Sequence, residues 1–248
     1  MPFRATGPPT PVADRDACPV RPRTAHRTAT VEGVYVPVFN AVDDEAEVRA
    51  LVTAAGAAEL VTVGPEGYPL ATRLPVVWTQ DRVVAHMARA NPQWRSIGDD
   101  APALMVVTGP EAYVSPSWYA SKAEHGRVVP TWNYSAVHLT GRVRLSTDEA
   151  WLREAVTLLT QTHESGRDAP WQVTDAPEDH VRRQLRAVVG VELTVERVEA
   201  KAKLSQNRSA EDHAGVVAGL TAEPNRGGTA VAEAMVRTGR YRDRQAPT

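Results

Sequence analysis

Three short runs rich in Val, Leu and Thr, residues 58–64, 69–78 and 82–87, follow one another almost without interruption. The first two are separated only by Gly64, Pro65, Glu66 and Gly67, a sequence that turns the chain. Runs of this length and composition, joined this tightly, read as a β-meander. Further strands are expected at about 103–108, 111–114 and 131–145, and again over Val189–Val198.

Helical periodicity appears only around this β-rich centre. Val48, Leu51, Val52 and Ala55 recur at helical spacing over Asp44–Ala55, with Gly56 placed to stop the helix. Asn91 followed by Pro92 supplies an N-cap and a proline at the first helical position, which predicts a short helix over Pro92–Ile97 with N–H groups to offer. Thr147 is expected to cap a helix from Asp148 to about His163, and another helix is expected over 178–189. Ser209 with Asp212 opens a last one, which ends near Leu220. The fold class that follows is α+β, mostly antiparallel β: a barrel with peripheral helices.

Composition sets the limits of the folded unit. Residues 1–30 hold six of the 19 prolines and five arginines but few large apolar side chains, so a disordered leader is expected there. The folded domain should span 31–220, followed over 221–248 by a flexible tail with one short helix at about Ala230–Arg237. Lys plus Arg (28) nearly balance Asp plus Glu (30), so no global field draws the chain to nucleic acid or to anionic lipid. A single cysteine, Cys18, leaves neither an internal disulfide nor a Cys-ligated metal site. With no apolar run long enough to span a bilayer and no signal-peptide core, the expected location is cytoplasmic.

Three segments carry chemistry. In HMARANPQW, His86 to Trp94, a strand end bearing His86 and Arg89 runs into the capped turn at Asn91; a guanidinium beside a helix start suits a phosphate. The same residues would also serve as ordinary barrel packing and rim charge. The segment from Gly109 to Tyr134 concentrates Tyr113, Trp118, Tyr119, Trp132 and Tyr134 in a chain that is 6% aromatic, as expected of a surface that lines a flat ligand or a subunit interface. In KAKLSQNR, Lys201 to Arg208, two lysines, two side-chain amides and an arginine could serve a phosphate or a ring carbonyl, or simply be surface charge. The seven histidines show no metal-ligand spacing, and no glycine-rich phosphate loop or GxSxG elbow is present.

Taken together, ARANPQW, AYVSPSWY, VVPTWNYSAVH, PWQVTDAP and KLSQNR resemble the PaiB family of FMN-binding negative transcriptional regulators over residues 35 to about 220. The resemblance implies an FMN-binding split β-barrel and a homodimer with FMN at the subunit interface. It makes Arg89 and the Asn91 turn candidates for the phosphate, with Arg73, His86, Trp94, Trp132, Asn133, Lys203 and Gln206 as the remaining cofactor-binding candidates. Three positions depart from the usual pattern. Arg73 stands where an A-x-H-L-P histidine is usual, Glu111 where GPHAY has histidine, and Ala202 where GKWKLSQ has tryptophan. More distantly the chain is similar to the haem-dependent piperazate synthases, which keep both histidines; this makes haem b the alternative cofactor and a biosynthetic redox enzyme the alternative function. Direct DNA contact finds no helix-turn-helix or basic recognition helix to support it, only the two arginine-bearing tails.

Overall fold

The computed structural model describes residues 33–223 and 227–239. The leader expected over 1–30, Cys18 within it, and the tail from Arg240 onward lie outside the described residues. Six strands, β1 (Ala57–Val63), β2 (Pro69–Thr79), β3 (Arg82–Ala88), β4 (Ala101–Val114), β5 (Thr131–Ser146) and β6 (Val188–Lys203), pair antiparallel in the closed order β1-β2-β3-β6-β5-β4. Period-2 alternation supplies the interior: Leu60, Met105 and Leu139 sit in register across β1, β4 and β5, and Val83, Leu193 and Val143 across β3, β6 and β5, all fully buried.

Two strands differ from expectation. Residues 103–108 and 111–114 are one strand, because β4 passes through a register irregularity between Thr108 and Glu111 instead of breaking. Strand β6 does not end at Val198 but continues through the lysines to Lys203, paired throughout with β5. This long ribbon bends where the register shifts between Thr140 and Gly141. A Cβ at Gly141 would lie 1.8 Å from the Thr194 carbonyl oxygen, so only glycine permits the approach.

Helix α1 (Glu45–Ala55) starts at Asp44, whose side chain accepts from the Glu47 N–H, and stops at Gly56 in the left-handed conformation, φ 63°. Its Val48 and Val52 join the barrel core. After the short α2 (Ser121–His125), helix α3 (Glu149–Glu164) is capped by Asp148, which accepts from the Trp151 N–H; the predicted cap, Thr147, stands one residue too early for that reach. Helices α3 and α4 (Glu178–Arg186) lie over the outside of β3 and β6 and share a second small apolar cluster, Leu152, Val173, Val181 and Leu185. Helix α5 (Ala210–Ala222) opens at Ser209 as expected. The packed body continues past Leu220: α6 (Gly228–Thr238) buries Val231 and Met235 completely in the main core, against β4 and α5. Its alternating Ala and Val residues have little apolar bulk, but the tertiary neighbours supply the burial that sequence periodicity alone does not reveal. Among the described residues, no helix is long and apolar enough to cross a membrane.

Candidate functional site

The turn after β3 spends most of its polar groups on itself. The Asn91 side chain accepts from the Gln93 N–H at 2.9 Å and donates to Thr72 Oγ at 2.9 Å, which ties the turn to β2. Buried Gln93 donates through Nε2 to Thr62 Oγ at 2.9 Å and to the carbonyls of Leu70 and Leu60 at 3.2 and 3.3 Å, and its Oε1 accepts from the Thr72 hydroxyl. Trp94 donates its indole N–H to the Arg89 carbonyl at 2.9 Å, with Arg95 stacked on its ring. The helical turn itself is a five-residue 3-10 segment, Pro92–Ser96. The expected set of free N–H groups is therefore reduced by the cap, and Asn91 and Trp94 position the turn. Gln93, which closes it, was not singled out in the sequence; the signal available was its place two residues after a capping Asn.

What this end of the barrel still offers is cationic. Arg89 donates its backbone N–H to the Ala187 carbonyl at 2.8 Å and one Nη to the Val188 carbonyl at 3.3 Å, while its Nε is buried without a hydrogen-bond partner. Arg73, next to Thr72 on β2, is more than half exposed and meets Glu59 across the strand pair at 2.8 Å. An exposed pair of this kind holds its geometry only weakly, so the guanidinium can change partner.

A second group gathers at the far end of β5 and β6. Trp132, half exposed, packs at a tilt against Tyr113 with ring centres 6.3 Å apart, and its indole N–H points to Glu111 Oε2 at 3.4 Å. Lys203 donates to the Thr131 hydroxyl and, at 2.8 Å, to the Trp132 carbonyl. Burial, with Lys201 and Arg208 nearby, pushes the Lys203 ammonium below the usual lysine range, partly countered by Tyr134. Asn133 and Gln206 face inward. Asn133 is fully buried and bonds Ser205 Oγ at 3.0 Å and Met235 Sδ at 3.5 Å, which fastens α6 to the sheet. The Gln206 amide is consumed locally, accepting from the Leu204 N–H and donating to the Ala202 carbonyl.

The two groups are not neighbours within one chain. Arg89 sits beside Val188 at the start of β6 and Lys203 at its end, so fifteen residues, roughly 50 Å of strand path, separate them. His86 belongs to neither: it projects from the outside of β3 beneath α3 and α4, where burial lowers its pKa from the ordinary 6.5. Between the groups, the outer face of β1, β4 and β5 carries Val61, Leu104, Val106 and Ala136 in adjacent register, outside both buried clusters. His138 in the same face is also held below 6.5 by burial, with Glu199 acting in the opposite direction.

This donor set suits a flavin mononucleotide. A buried, unpartnered Arg89 Nε and an exposed Arg73 match a phosphate, and a half-exposed Trp132–Tyr113 pair matches a flat ring.

Comparison with known proteins agrees on the class. Residues 34–197 match the family described as "Putative FMN-binding domain". Bacillus subtilis "Protease synthase and sporulation protein PAI 2" is 33% identical over 207 residues, 82% of this chain and 96% of that protein. An uncharacterized protein of Emericella nidulans is 29% identical over 186 residues, 64% of this chain and 74% of its own length. Among solved structures, an FAD- and haem-binding protein from Mycobacterium smegmatis has a TM-score of 0.51 at 19% identity, covering 66% of this chain and 73% of the other, a likeness of fold. With the split barrel, the motif segments and a family match over more than half its length, this chain belongs to the PaiB family of FMN-binding proteins.

Proposed function

We propose that this chain is an FMN-binding homodimer in which each flavin is held between subunits, and that flavin occupancy biases the dimer in control of gene expression. The observation that carries the reading is the separation of Arg73 and Arg89 from Trp132 and Lys203 at opposite ends of β6. A two-fold axis across the outer face of β1, β4 and β5 brings one end of a protomer to the other end of its partner, so each site is completed in trans. Arg89 and Arg73 hold the phosphate, and the partner's Trp132 covers the ring edge with the partner's Lys203 near a ring carbonyl. Bound FMN supplies one- or two-electron redox chemistry of its own, and the protein supplies position and charge. The regulatory role rests on the sequence relationship to the Bacillus protein, whose name places it in protease synthesis and sporulation.

Subunit complementation tests the shared site. Arg89→Ala and Lys203→Ala homodimers should each bind FMN at least tenfold more weakly, followed by flavin absorption near about 370 and 450 nm. Mixed one to one and allowed to exchange, they should recover about a quarter of the sites, because half of the dimers are hybrids and each hybrid holds one intact site. Hybrids that form and recover nothing would refute the shared site. A gel-shift with holo and apo protein that shows no sequence-dependent shift would remove direct repression.

A further inference from the structure

The motif segment PWQVTDAP takes no part in the proposed flavin site, and the structure gives it a different place. Its Trp171, Val173 and Ala176 line a cavity of about 260 Å³ between α3, α4 and the outside of β3 and β6. The wall is mostly valine, leucine and alanine. Its polar groups are His86, Thr160, His180 and Gln184, with Trp171, 47% exposed, at the rim. None of the described residues lining it is Asp, Glu, Lys or Arg.

His86 lines this cavity, and its Nδ1, sealed from solvent, has no hydrogen-bond partner. A buried polar atom left unmade costs about 1–3 kcal/mol. We infer that the cavity beneath α3 and α4 is a second small-molecule site, which takes an uncharged aromatic heterocycle of one or two fused rings hydrogen-bonded to His86. The volume sets the size: an apolar cavity of about 150 Å³ accepts benzene, so this one has room for a second ring. The lining sets the charge, since an ionised ligand would be desolvated with no opposite charge to meet. The rim tryptophan supplies a flat surface for stacking. Burial keeps the His86 ring neutral, with one nitrogen donating and the other accepting, so a ring N–H or hydroxyl suits it.

Indole serves as the probe. On the purified full-length protein, indole should bind saturably by calorimetry and raise the melting temperature. Indole-3-acetate should bind at least tenfold more weakly because its carboxylate finds no partner. Thr160→Phe, which fills the cavity from α3, should reduce indole affinity at least tenfold, and His86→Phe should do the same by removing the polar anchor. If His86→Phe fails to fold, the charged analogue and Thr160→Phe still decide. No saturable binding up to the solubility of indole would overturn the proposal, as would equal binding of the acetate. Competition between indole and FMN would also overturn it, by making the cavity part of the flavin site.

Discussion

Replacing Gln93 by Ala separates the two roles open to the turn after β3. Gln93 is 3% exposed and reaches four groups on β1 and β2: Thr62, Leu60, Leu70 and Thr72. Its two amide hydrogens and one carbonyl oxygen make about three hydrogen bonds at a time, each contributing roughly 1 kcal/mol net. Losing them while part of the side-chain volume goes empty should cost about 3–5 kcal/mol, near the upper end for a single substitution. For a domain of this size that is a fall of roughly 6–20 °C in melting temperature. Urea unfolding of the flavin-free protein, followed by far-ultraviolet circular dichroism, measures the effect where no phosphate contributes. A loss below about 1 kcal/mol in the apo protein, together with weakened FMN binding, would refute the internal role and make Gln93 a ligand.

Met235→Ala should destabilise by about 2–5 kcal/mol, because Met235 is fully buried and touches Asn133; a change below 1 kcal/mol in urea would mean that α6 does not belong to the core. Stability should also fall on acidification from pH 7.5 to 5.5. Burial holds His86, His138 and His213 below the ordinary 6.5, so the unfolded chain binds protons first as pH drops through 6.5 and the stability present above that value is progressively lost. A urea midpoint unchanged across this window would contradict the burial of these rings.

Much of this protein was legible in its residues one stretch at a time. The meander from residue 58 to 87, the caps at Asn91 and Ser209, and the stop at Gly56 are local: each depends on side chains within a few positions and on the period of burial. The motif segments carried the family with them. Roles of individual polar residues were not legible, because an amide has the same character whether it meets a ligand or its own backbone. Asn91, Asn133 and Gln206 were candidates by type, and packing turned each toward Thr72, Ser205 or Ala202. Helix α6 was expected at about 230–237 but its place in the core was hidden, since a short Ala- and Val-rich stretch is stable only against a partner surface. Sequence alone settled most of the elements and the flavin-binding family. Tertiary structure decided that Arg89 and Lys203 lie at opposite ends of one strand and that His86 faces a cavity, because distances across a closed barrel depend on register and shear that no local pattern encodes.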